Sequence, residues 1–267
     1  MSYRRDSGFF YGNLPQLAAQ RERRPIGPIS FEVLDQRAAV NDIQNAIHAR
    51  SGRVFAFCNM HTFNMARRLP ALAEALSCAT VFNDGLGIDI ASTILYGGKF
   101  PQNLNGTDLT PALLSSFERP VSVFLVGSPP GVAAEAAEAL ACAHPNVRIV
   151  GSSHGFFSDV ESDALVSEIR AAGTELLLIG MGNPRQELWA RKIAGDCGAV
   201  VLCVGAFIDF AAGRVARAPL WVRQLRSEWL YRLALEPSRL WRRYIGGAGP
   251  FLYAVIAERA KRKRAVR

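Results

Sequence analysis

Long apolar runs are missing from this sequence. None approaches the roughly 20 residues that a bilayer-crossing helix needs. Histidine is scarce, at four residues, and the five cysteines (Cys58, Cys78, Cys142, Cys197 and Cys203) form no C-x-x-C pair and no zinc spacing. A disulfide framework or structural zinc is therefore excluded as the organising principle, and four of the five cysteines are expected as small core hydrophobes. The first 24 residues are polar and arginine-bearing with no apolar signal core, so a reduced, cytoplasmic setting is expected. No Walker A lysine, G-x-S-x-G elbow or H-E-x-x-H occurs, and no D-x-D pair demands a metal. Gly180 and Gly182 supply two glycines of a dinucleotide fingerprint, but Arg185 holds the third place and no acid ends the next strand. An NAD-dependent oxidoreductase is thus poorly supported.

What is present suits one large domain, or a domain with an appendage. The 267 residues are 49% hydrophobic and 20% charged, enough for a core and against disorder. The net charge of +8 is unevenly spread. Residues 214–267 hold 14 of the 31 Lys/Arg and three of the 23 Asp/Glu, a local net of +11, which leaves −3 for the 213 residues before them. Three of the four tryptophans (Trp221, Trp229 and Trp241) share that tail.

Residues 1–28 read as a flexible arm rich in Arg, Gly and Pro, ending in Pro25-Ile26-Gly27-Pro28. A short strand over 29–34 and a helix over 36–50 follow. Strand-like runs then recur at 54–58, 79–83, 121–126, 147–150, 176–179 and 199–204. Helix-like segments lie at 62–77, 86–96, 107–117, 131–141, 161–171 and 185–194. This alternation predicts an α/β fold, a Rossmann-like parallel sheet with helices on both faces, over residues 29–213. A basic, amphipathic, helical C-terminal appendage is expected over 214–267.

The strands end in polar or glycine residues: Asn59, Asp84, Gly127-Ser128-Pro129, Gly151 to Gly155, Gly180 to Pro184, and Gly205. In a parallel sheet these tips share the carboxyl edge, where α/β folds bind ligands. The third and fifth turns feed helix N-termini, which favour an anion such as a nucleotide diphosphate. Asp84, between Val81-Phe82-Asn83 and Gly85-Leu86-Gly87, is read either as a functional carboxylate or as the cap of the next helix.

Six or more short motifs stand in order: Asn83-Asp84-Gly85-Leu86-Gly87, Asn105-Gly106-Thr107-Asp108-Leu109, Gly151 to Phe157, Gly180 to Trp189, Gly205 to Phe210, Arg217-Ala218-Pro219 and Glu228 to Leu233. Together, over about residues 30–252, the chain resembles the WecG/TagA/CpsF family, glycosyltransferase family 26. The resemblance implies an inverting, metal-independent hexosyltransferase with no cofactor. Its donor would be a UDP-sugar and its acceptor a polyprenyl-diphosphate-linked saccharide of cell-surface or exopolysaccharide biosynthesis. It further implies peripheral placement on an anionic membrane at the cytoplasmic face, with self-association and no nucleic-acid partner.

By motif position Asp84 is the expected base, since a carboxylate near the acceptor hydroxyl suffices for an inverting transfer. Donor or acceptor contacts are expected from Asn59, Asn83, Gly85, Gly87, Asn105, Asp108, Gly127, Ser128, Gly182, Asn183, Gln186 and Glu187. Helix capping is the alternative for Gln186 and Glu187, and capping or binding are both open for Asp108. Asp209 is read as buried or catalytic, and His61 and His154 as crevice-facing or merely local. Two positions depart from the pattern: Phe57 stands where many members carry threonine, and Asn103 where many carry arginine. The donor is therefore left open among N-acetylmannosamine, glucose and related hexoses.

In the tail, Trp221, Val222, Leu225, Trp229 and Leu233 recur at helical spacing among arginines, a pattern that suits an anionic membrane interface. Arg217, Arg223 and Arg232 are the expected partners of the lipid diphosphate. The apolar run 250–257 is too short to span a bilayer, and Lys261-Arg262-Lys263-Arg264 would rest on headgroups. A nucleotide-sensing, nucleic-acid-binding regulator is the alternative that this basic tail allows.

Overall fold

The computed structural model describes residues 22–215, 231 and 237–265. Arg217, Arg223, Arg232, Trp221 and Trp229, and most of the expected arm, lie outside the described residues.

The chain builds an eight-stranded sheet in the order β1-β2-β4-β3-β8-β7-β5-β6. Its strands are β1 (Arg23–Ile26), β2 (Ile29–Glu32), β3 (Val54–Cys58), β4 (Thr80–Asn83), β5 (Val121–Gly127), β6 (Val147–Ser153), β7 (Leu176–Gly180) and β8 (Val200–Cys203). Every pairing is parallel except the β1–β2 hairpin. Among the described residues the helices are α1 (Gln36–His48), α2 (Met60–Ala66), α3 (Pro70–Ser77), α4 (Leu86–Tyr96), α5 (Gly106–Ser115), α6 (Val132–Ala143), α7 (Asp159–Ala171), α8 (Arg185–Ile193), α9 (Phe207–Ala211) and α10 (Pro237–Ala265). This is the Rossmann-like α/β architecture read from the alternation.

Alternation of side chains divides the core in two. Phe55, Phe57, Val123 and Leu125 face a layer made by α1, α5, α6 and α9. Ala56, Cys58, Phe124 and Val126 face the layer of α2, α3, α4, α7, α8 and α10. Helices on both sides explain why β5 is apolar along nearly its whole length and buried at every residue.

Three expectations need correction. The helix read over 62–77 is two helices, because Pro70 cannot continue the first and forces Leu69 into extended backbone (φ −119, ψ 96). Residues 25–28 do not end an arm. Pro25 and Ile26 belong to β1, and Gly27, at φ 57, turns the chain into β2. Cys58, Cys197 and Cys203 are buried, but Cys78 and Cys142 are exposed, so three cysteines rather than four are core residues. The apolar run 250–257 lies inside α10, where Phe251 and Val255 join the core.

The docking of α10 is specific. Phe251 meets Phe63 edge-on at 5.1 Å, and Asn64 Nδ2 donates to Gly247 O at 2.8 Å. Farther along, Gly27 N donates to Glu258 Oε2 at 2.8 Å, and the Arg262 guanidinium lies 4.7 Å from the Tyr96 ring centre. Phe251→Ala should cost about 3–5 kcal/mol, read as a lowered urea midpoint in a single cooperative transition. A change confined to helical signal, with the midpoint of the sheet domain unmoved, would show that α10 is not part of the folding unit.

Candidate active site

The parallel register sets the site. Cys58 pairs with Asn83 across β3 and β4, so the next residues, Asn59 and Asp84, emerge side by side at the carboxyl edge. Asp84 N donates to Cys58 O at 3.0 Å, and Asn59 Nδ2 donates to Asp84 Oδ2 at 3.2 Å. Asn59 is itself fixed as the cap of α2, its Oδ1 accepting from His61 N at 3.0 Å and Thr62 N at 3.1 Å. Asp84 is not a cap. The N-cap of α4 is Gly85, with no side-chain bond, at φ 87, a conformation that favours glycine. The amide of Gly85 is taken by Asn103 Oδ1 at 2.6 Å. Thus Asn103, in the place of the commoner arginine, pins the turn that carries Asp84.

Asp84 opens into a cavity of about 700 Å³ over the tips of β3, β4, β5, β7 and β8. Of the expected ligand residues, Asn59, Gly85, Gly87, Asn105, Asp108, Ser128, Gly182, Asn183 and Gln186 line it. His61 and Asp209 line it as well, as do the two departures, Phe57 and Asn103. The cap of α5 is Asn105, not Asp108. The Asp108 carboxylate accepts from Asn105 Nδ2 at 2.7 Å while Asn105 Oδ1 caps the Asp108 amide at 2.8 Å, and Asp108 faces the cavity.

Asn83, Gly127, His154 and Glu187 are not part of the wall. Asn83 is buried and donates to Gln102 O at 2.9 Å. The His154 Nδ1 accepts from Phe156 N at 3.2 Å. Gly127 is where β5 and β7 touch: a Cβ there would lie 2.4 Å from Gly180 O, so its role is close approach of backbones.

Glu187 sits beneath the floor, 2% exposed. One carboxyl oxygen, Oε1, accepts from Asn183 Nδ2 and from Gln186 Nε2 at 2.8 Å, while Oε2 is buried with no partner. Gln186 Oε1 in turn accepts from Gly205 N at 3.1 Å. Glu187 therefore orients the two amides that do face the cavity and ties the β7 turn to the β8 turn. Burial pushes its carboxyl up, against the pull of its hydrogen bonds to Gln186, its own backbone amide and Asn183. The Cys58 and Cys203 thiols, which feel Glu187 from β3 and β8, are also pushed up, chiefly by burial.

Sequence reasoning gave no site role to Phe156, Arg185 or Ala248, all of which line the cavity. Arg185 and Phe156 both lie inside recognised motifs, Gly180 to Trp189 and Gly151 to Phe157, which were the signal that could have found them. Ala248 carried none, because it arrives from α10 across the fold. Among the described residues no group of three or more His, Cys, Asp or Glu is placed to hold a metal ion. Residues 24–265 match the Glycosyl transferase WecG/TagA/CpsF family.

The buried Glu187 has a measurable consequence. The native state holds its proton at pH values where the unfolded chain has released it, so wild-type stability falls as pH rises from the ordinary carboxylate range through the raised native pKa. Glu187→Gln should flatten that part of the stability-versus-pH curve in urea unfolding. Glu187→Ala should cost about 1–3 kcal/mol at every pH by leaving buried amides unpaired. Parallel wild-type and Glu187→Gln curves would show that Glu187 does not titrate in this range.

Proposed function

The chain belongs to the WecG/TagA/CpsF family of glycosyl transferases, and from that membership, which carries sugar transfer in surface-polysaccharide biosynthesis, we propose that it moves a hexose with inversion from a UDP-sugar to a polyprenyl-diphosphate-linked saccharide. The observation that carries the proposal is Asp84, held by Asn59 at the floor of the cavity on the carboxyl edge of the sheet. In one displacement the acceptor hydroxyl oxygen attacks the anomeric carbon as its proton passes to Asp84. The bond from that carbon to the β-phosphate oxygen breaks, and its electron pair leaves with UDP. Asn59 keeps the receiving carboxylate turned toward the cavity. Asn105, Asp108 and Gln186 supply neutral amides and one carboxylate for hydroxyl groups, which suits a hexose donor such as glucose or N-acetylmannosamine.

The acceptor's lipid is assigned to the side of α10. Leu252, Tyr253 and Ile256 are exposed there beside the basic Arg259, Lys261, Lys263 and Arg264, and Leu86 and Ile90 are exposed at the cavity mouth. Apolar and cationic groups together suit the cytoplasmic face of an anionic membrane. No helix among the described residues is long and apolar enough to cross it. The lipid diphosphate remains assigned to Arg217, Arg223 and Arg232.

The test is UDP release by purified protein with anionic vesicles, a polyprenyl-diphosphate saccharide and a panel of UDP-sugars. Turnover is expected with one donor, and Asp84→Asn should lower kcat by about 10²–10⁴ while UDP still binds by calorimetry. No turnover with any donor, together with no UDP binding, would overturn the proposal.

A further inference from the structure

Among the described residues four asparagines line the cavity: Asn59, Asn103, Asn105 and Asn183. Three of them spend a side-chain N–H on a neighbouring carboxylate. Asn59 donates to Asp84 at 3.2 Å, Asn105 to Asp108 at 2.7 Å, and Asn183 to Glu187. Asn103 spends neither of its two. Its side chain makes one hydrogen bond among the described residues, Oδ1 accepting from Gly85 N at 2.6 Å. A backbone N–H can only donate, so this bond fixes which way round the amide sits, with oxygen on the Asp84 turn and Nδ2 turned from it. Asn103 is half-buried, and its nitrogen is not enclosed.

The backbone that carries Asn103 is held on both sides. Buried Asn83 brackets it, Nδ2 donating to Gln102 O at 2.9 Å and the carbonyl accepting from Leu104 N at 2.9 Å. Arg24 fastens the start of the same loop, donating to Gly98 O at 3.1 Å and Lys99 O at 3.0 Å. The Asn103 amide is thus a pre-positioned donor beside Asp84, ready for an acceptor that the chain itself does not supply. That donor is neutral. Arg185 is the only Lys or Arg among the described residues that line the cavity, and it stands where β7 leads into α8, bonded to Gly155 O at 2.9 Å.

Resting on the sugar-transfer reading above, we propose that Asn103 sets sugar specificity. Its Nδ2 donates to a hydroxyl oxygen of the transferred hexose beside Asp84, in a subsite that takes an uncharged hexose and not a hexuronic acid. Asn103 belongs to the hexose because it stands two residues from Asn105, on the loop that leads to Asp108. Its neutrality carries the selectivity. A hydroxyl loses little on meeting an amide in place of water, whereas a carboxylate loses its hydration with no cation to offset the charge. An arginine at this position would pair such a carboxylate bidentately.

Calorimetry with the full chain tests this. UDP, UDP-glucose, UDP-N-acetylmannosamine and the C6-carboxylate counterpart of each sugar nucleotide would be titrated into wild type, Asn103→Asp and Asn103→Arg, with a thermal melt of each. Wild type should bind one neutral sugar nucleotide at least about tenfold tighter than its carboxylate counterpart, on the scale of one hydrogen bond. Asn103→Asp keeps an oxygen for Gly85 N and removes the donor. It should lose about tenfold in affinity for that sugar nucleotide, with UDP affinity and the melt unchanged. Asn103→Arg should reverse the preference toward the carboxylate sugar. Equal wild-type affinity for the neutral and carboxylate forms, or wild-type sugar affinity in Asn103→Asp with turnover intact, would overturn the assignment of Asn103 alone. So would a rise in KM confined to the acceptor. A parallel loss of UDP affinity in Asn103→Asp would place the effect on the shape of the cavity and would likewise overturn the sugar contact. A wild type that binds no UDP would overturn the donor reading as well.

Discussion

The site depends on the register of two parallel strands. Because β3 and β4 pair with Cys58 opposite Asn83, the residues that follow must leave the sheet together, and Asn59 reaches Asp84 without any side chain having to search for its partner. A slip of one residue would turn Phe55 and Phe57 out of one core layer and Ala56 and Cys58 out of the other. The geometry of the Asn59–Asp84 pair is therefore protected by the same burial that holds the sheet. Asn103 and Gly85 then set the angle at which Asp84 is presented.

A second constraint is the closeness of the strand tips on the other half of the cavity. Gly127, Gly155 and Gly180 bring backbones within distances that a side chain would forbid, and Ser128 is carried into the left-handed region between them. Beneath this corner Glu187 orders Asn183 and Gln186 from a buried position. The cavity thus has a layer of groups that face into it and a layer below that aims them. Both kinds stand next to one another in sequence: Gln186 faces in, and Glu187 faces down.

The C-terminal helix joins fold and function. Phe251 and Val255 anchor it in the core, Glu258 and Arg262 tie it to the β1–β2 hairpin and Tyr96, and Ala248 reaches the cavity wall. Its outward residues, Tyr253 and Ile256 among them, stay exposed beside lysines and arginines. One helix therefore serves as core element, wall and surface, a division set by its 3.6-residue period.

Local pattern alone determined the alternation of strands and helices, the two buried faces of the sheet, and the polar tips gathered along one edge, because these follow from side-chain periodicity and chain connectivity. Ordered motifs likewise identified the family, and Asp84, Asn59 and Gln186 line the cavity. What the tertiary structure decided depends on contacts distant in sequence or on backbone geometry that residue type does not report. Pro70 broke a helix whose apolar spacing ran on unbroken, and a stretch read as part of an arm became β1 because it had β2 to pair with. Glu187 and Asn83 are polar like the neighbours that face the cavity, Gln186 and Asp84, and only the direction of each side chain from the turn decided which would line it. Phe251 shows the same limit from the other side: nothing in an apolar, basic tail says that its ring packs on Phe63, because that contact exists only once the sheet has brought α2 and α10 together.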